Sequence, residues 1–99
     1  MLTVYPLTSS VGRVPEDAPD PDADWDAYRR AVGARLREAR LRANLTQEAL
    51  AHRAGVSREL VQRTERADPH APRLAALWRM ARVVRLPAGR LLDEPEPDA

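Results

Sequence analysis

The sequence predicts an all-α chain: a compact domain of five helices carried between two flexible acidic arms. Three observations lead there. Apolar residues between Trp25 and Leu92 recur at steps of three and four, the spacing that gathers them on one face of a helix. No segment alternates apolar and polar residues with a period of two, so no sheet is expected. Cap and breaker residues (Asn44, Thr46, Gly55, Ser57, Pro72 and Pro87) divide the stretch at the places where helices must end and restart.

Trp25, Tyr28, Val32, Leu36, Ala39 and Ala43 form the first stripe, a helix over about residues 25–43 whose start Asp24 or an earlier aspartate can cap. Asn44 follows its last turn, where a residue tolerant of the left-handed conformation is needed. Thr46 caps a second helix, and Glu48 in its first turn complements the helix dipole. That helix stops at Gly55, and Ser57 caps a third running to about Arg66. Residues 67–71 (ADPHA) read as a loop. Pro72 suits the first position of a fourth helix with the stripe Leu74, Leu77, Trp78, Ala81 and Val84. Pro87 opens a short fifth helix that buries Leu91 and Leu92.

The flanks have a different composition. Residues 1–24 form an arm in which 8–24 hold three prolines, a glycine and many acids. Such a stretch cannot bury enough apolar surface to offset the entropy of ordering it, so flexibility is expected. Ahead of it LTVYPL, residues 2–7, places Leu2, Val4, Tyr5 and Leu7 near the terminus, where a frayed end is the simpler expectation than a docked strand. Residues 93–99 are an acidic, proline-broken tail.

The net charge of +1 conceals a segregation. All 16 basic residues are arginine, and 15 of them lie in residues 27–92 against Glu38, Glu48, Glu59, Glu65 and Asp68, leaving that stretch at +10. Residues 1–26 stand at −5 and residues 93–99 at −4. A strongly basic domain between acidic arms suggests a polyanionic partner, nucleic acid above all, while a solvated helical surface is the plain alternative.

Several classes of function are set aside. The chain has no cysteine, hence no disulfide, thiolate metal site or cysteine nucleophile. His52 and His70 lack the carboxylates a metal site would need, so neither metal nor cofactor is expected. There is no glycine-rich phosphate loop and no grouping of serine, histidine and aspartate, so no catalytic residue is assigned and an enzyme is not expected. With no apolar run of membrane-spanning length and no signal-peptide pattern, a cytoplasmic protein with no membrane partner is expected.

Helices over 46–54 and 58–66 joined by three residues fit a helix-turn-helix. Gly55 can adopt the positive φ that ends the first helix, Ala51 is small where the second helix crosses, and Leu50 and Val61 face the core. The stretch LTQEALAHRAGVSRELVQRTER, preceded by VGARLREAR and followed by LAALWRMARVV and LL, resembles the lambda-repressor/Cro-like domain of the XRE family over residues 32–92. Gln47, Glu48, Leu50, Ala51, Gly55, Val56, Ser57 and Glu65 stand where that pattern expects them. Thr64 departs from it by replacing a branched apolar residue, as do Ala67 and Arg85, each in place of a customary glycine.

The resemblance implies a five-helix lambda-repressor-like fold over residues 25–92 that binds double-stranded DNA. It implies that Arg58, Glu59, Gln62 and Arg63 face the major groove, that Gln47 contacts a phosphate, and that Arg40 and Glu65 form a structural ion pair. The residues themselves agree on the first point, because a helix with Val61 and Thr64 or Leu60 inward turns Arg58, Glu59, Gln62, Arg63 and Arg66 outward. Arginine, glutamine and glutamate can pair with guanine, adenine and cytosine edges respectively. Ser57, Arg66, His70 and Arg73, at the start of that helix or beyond its end, are candidate phosphate contacts. The function expected is a sequence-specific transcriptional regulator, repressor-like and homodimeric through the fourth and fifth helices, where Leu86 and Pro87 are expected to stay exposed. The alternative is an XRE-type antitoxin or adaptor that binds a protein partner through residues 1–24.

Overall fold

In a computed structural model, which describes residues 20–70 and 72–95, five helices follow one another, and the described residues contain no strand. They are α1 (Pro21–Arg42), α2 (Gln47–Ala54), α3 (Arg58–Glu65), α4 (Leu74–Val83) and α5 (Ala88–Leu91). Each of the first three starts at a side-chain cap that accepts an otherwise orphan amide. Asp20 accepts from the Asp22 N–H, Thr46 from Ala49 and Ser57 from Leu60, each at 3.0 Å. Gly55 ends α2 at φ 68 and Asn44 follows α1 at φ 57, so both turns around α2 use the left-handed region.

α1 lies across α3 and α5, α2 packs on α3 and α4, and α4 on α5. The core between them is built from Leu36, Leu50, Val61, Met80 and Leu91, all fully buried. Each such side chain contributes about 1.5–3 kcal/mol of burial. Gly33 makes the α1–α3 crossing possible: a Cβ on it would lie 2.4 Å from the Thr64 carbonyl oxygen and 2.9 Å from that of Glu65. Three side chains pin α1 elsewhere by long-range hydrogen bonds. The Tyr28 hydroxyl donates to the Leu92 carbonyl, Arg29 donates to the Ala67 carbonyl just after α3, and Arg35 donates to the Leu91 carbonyl at 3.1 Å. The last two satisfy carbonyls left open where α3 and α5 end.

Several sequence expectations need correction. α1 begins at Pro21 rather than near residue 25, because Asp20 supplies the cap and Pro21 fits a first turn that needs no N–H. Pro72 does not open α4; it lines a cavity beside Trp25 and Leu77, and Arg73 occupies the cap position. The buried stripe of α4 is Met80 and Ala81, continued by Val84 just past its end, with Leu77 partly buried, whereas Leu74 and Trp78 are 69% and 50% exposed. Ala43 and Trp25, assigned to the inner stripe of the first helix, are exposed. Leu91, the last residue of α5, is buried, and Leu92 just after it only partly so. Leu86, expected on the surface, packs partly buried against the core, while Pro87 is exposed. Residues 1–19 and 96–99, which include most of both arms, lie outside the described residues.

Ala67 and Arg85 adopt φ 58, the left-handed conformation that glycine takes most readily. A side chain there costs roughly 1–2 kcal/mol, and glycine returns part of this as unfolded-chain entropy. Ala67→Gly and Arg85→Gly should therefore each stabilise the domain by about 0.5–1 kcal/mol in denaturant titrations. A loss of stability in both would show that these turns are not strained.

Candidate nucleic-acid interface

The amphipathic order of α3 sets up the site. Val61 and Thr64 are buried and Leu60 is partly buried, so the helix seats on one inward face at positions 60, 61 and 64. Thr64, where the resemblance leads one to expect a larger apolar side chain, turns its hydroxyl back to the Leu60 carbonyl at 2.7 Å. The polar atom is thus satisfied inside α3 and the methyl is left to pack. Arg58, Glu59, Arg63 and Arg66 are exposed and Gln62 half-buried, and they share the opposite face.

Two acids temper this face. Glu59 lies 3.8 Å from Arg63 one turn on, and Asp68 lies 3.1 Å from Arg66. Exposed pairs of this kind are worth about 0.2–1 kcal/mol, little enough for a phosphate or a base edge to displace them. Ser57 accepts the Leu60 amide through its oxygen, which leaves its hydroxyl proton free to donate. His70 and Arg73 are exposed, His70 in the α3–α4 connection and Arg73 at the start of α4.

Behind the face lies a buried polar node. Arg40 from α1 donates through Nε to Glu65 Oε2 at 2.6 Å and through a terminal nitrogen to Glu65 Oε1 at 2.9 Å. This is the two-pronged geometry that guanidinium and carboxylate favour. The two side chains are 9% and 4% exposed. A further Arg40 nitrogen donates to the Leu45 carbonyl at 2.8 Å, and the Gln47 amide donates to Glu65 Oε1 at 3.2 Å. The hydrogen bond to Glu65 raises the Arg40 pKa above its ordinary value, with burial opposing it. Because the shift is upward, this stabilisation is complete at every pH below the ordinary guanidinium pKa and fades only as pH rises through the raised value.

The node joins α1, the turn before α2, the first residue of α2 and the last of α3. Gln47 has spent one amide hydrogen on Glu65 and keeps a second, beside the backbone N–H groups that the first turn of α2 leaves without an intrahelical partner. The start of α2 and the outward face of α3 are therefore held in a fixed relation.

Arg29, Arg35 and Gly33 were not singled out by sequence reasoning, although each positions α1 against the site or its support. The one available signal was Gly33 itself, since a glycine inside a helix costs about 1 kcal/mol relative to alanine and needs a reason. Among the described residues no group of three His, Asp or Glu is placed to hold a metal ion, and no helix is long and apolar enough to cross a membrane. A family model described as a helix-turn-helix domain matches residues 31–94. No curated protein and no solved structure matches the chain.

Proposed function

The chain belongs to the helix-turn-helix domain family, and from that premise we propose that it is an XRE-type, repressor-like transcriptional regulator that reads double-stranded DNA in the major groove with α3. The observation that carries the proposal is the outward set Arg58, Glu59, Gln62 and Arg63, on a helix tied to the start of α2 through Glu65. Arg58 and Arg63 have the forked donors that suit guanine, Gln62 suits adenine, and Glu59 accepts from cytosine while repelling phosphate. Gln47, Ser57, Arg66, His70 and Arg73 supply phosphate contacts around them, which set register and orientation without reading sequence. No catalytic step, metal or cofactor enters this function, and its place in a cell is the cytoplasm, on the nucleoid.

A single such domain reads few base pairs, so the DNA-bound form is a homodimer on a near-palindromic site with half-sites about one helical turn apart. Of the surfaces on α4 and α5, the exposed Leu74 and Trp78 favour the dimer contact over Leu86, which the core already holds. The same apolar exposure is what favours the second reading, an antitoxin or adaptor that docks a protein partner.

Titration of a labelled duplex tests the proposal. Affinity for non-cognate DNA should fall about a hundredfold between roughly 50 and 200 mM salt if about four phosphates are neutralised. Glu59→Gln should raise that affinity about two- to fivefold, the worth of one exposed charge pair. Binding that is absent at low salt would leave the protein-docking reading standing alone.

A further inference from the structure

Four large hydrophobic side chains are exposed among the described residues, and three of them, Trp25, Leu74 and Trp78, gather on one face. Trp25 lines a small cavity with Tyr28, Leu77 and Leu92. Leu74 and Trp78 line an open groove with Leu77, Leu91 and Leu92, and no charged residue lines that groove. Leu77 and Leu92 belong to both, so cavity and groove adjoin in one surface running from α1 over α5 to α4, apolar along the groove and bordered by Arg29, Asp68 and His70 at the cavity end, with Arg82 lying over the Trp78 ring.

We propose that the occupant of this surface is the chain's own segment LTVYPL, residues 2–7, folding back in cis onto the α4–α5 groove. The segment carries four apolar side chains and no charge, which matches a groove without charged lining. Tyr5 precedes Pro6, a position whose preferred backbone is extended, a form that can lie along a groove. The described chain begins at Asp20, just over one helical turn from Trp25, so everything upstream departs from beside this face. Residues 8–20 make a tether of thirteen residues. Treated as a flexible chain it spans on average about 20 Å, long enough to reach from the start of α1 to a groove on the adjoining surface.

The tether also decides between occupants. A short flexible linker sets an effective concentration in the millimolar range, so at micromolar chain concentration the cis segment outcompetes a second copy for the same groove. Residues 2–7 thus keep the dimer surface of the free protein covered. Two copies placed side by side on DNA gain an effective concentration of their own and can displace them.

The chain's two tryptophans, Trp25 and Trp78, both report on this face. Deleting residues 1–9 removes the segment and spares the Asp20 cap and every described helix. In the full chain, acrylamide quenching of tryptophan should be about half that of the deletion variant, since each indole is about half exposed and covering it removes much of that access. A synthetic peptide of residues 1–9, added in millimolar excess, should restore the protection. By sedimentation the deletion variant should dimerise at a concentration at least about tenfold lower than the full chain. The full-length variant Leu2→Ser/Leu7→Ser should behave like the deletion, which separates loss of docking from any effect of shortening the chain. Equal quenching and equal dimerisation for all three proteins would overturn the proposal. So would a full-length chain whose tryptophans are protected only as a dimer, because the occupant would then be a second copy.

Discussion

Gly33→Ala is expected to lower the melting temperature by more than about 10 °C, a loss of roughly 3 kcal/mol in a domain of this size. Helix propensity alone predicts the opposite sign, since alanine inside a helix is worth about 1 kcal/mol over glycine. Contact decides. The added Cβ would meet the Thr64 carbonyl oxygen at 2.4 Å, and that oxygen is backbone at the end of α3, unable to swing aside as a side chain would. α1 and α3 must separate, and Val32, Leu36 and Val61, buried on the two helices, lose packing with them. Gly55→Ala is the matched control. Nothing lies within 4 Å of its added Cβ, so only the positive φ of 68 opposes it, at about 1–2 kcal/mol. Thermal melts of the two variants should rank Gly33→Ala well below Gly55→Ala. The reverse order would mean that the α1–α3 crossing is looser than described.

Glu65→Gln is the second substitution with a large expected effect. It leaves the shape of the node and removes its charge, stranding the Arg40 guanidinium between α1 and α3, where its side chain is 9% exposed. Breaking one partner of a buried pair costs on the order of 3–5 kcal/mol. The expected result is a fall in melting temperature of more than about 10 °C. Base preference should change little, because Glu65 lies behind the outward face of α3 rather than on it. Arg40→Met/Glu65→Leu should recover part of the loss, since it leaves no buried charge unpaired. Unchanged stability in Glu65→Gln would show that water reaches the pair.

Much of this architecture could be read from local chemistry. Thr46, Gly55 and Ser57 bracket α2 and α3 because caps and left-handed turns act within a few residues, and the outward set on α3 follows once Val61 is placed inward. What could not be read depends on which way a helix is rolled, or on contacts far apart in sequence. α4 is apolar almost all round: Leu74, Leu77 and Trp78 make one acceptable stripe, and Leu77, Met80 and Ala81 another. Packing against α2 and α5, and not periodicity, selects the second. The bond from Gln47 to Glu65 closes across 18 residues, and the approach of Gly33 to Thr64 spans 31, so neither leaves a local pattern. An aspartate cap ahead of α1 is legible, and Asp20 is one of the candidates, but the start at Pro21 is not, because the acids of residues 16–26 read alike as flexible arm or as the charged first turn of a helix.

The central claim is that the exposed face of α3 reads DNA sequence. Selection of bound duplexes from a randomised pool by the full-length protein, repeated with Arg63→Ala, tests it most directly. The full-length protein should enrich a near-palindromic sequence. Arg63→Ala should relax the preference at one position in each half-site, by about 1–3 kcal/mol of discrimination, and retain the rest of the site. Enrichment of no sequence at low salt, or an identical sequence from both proteins, would contradict it.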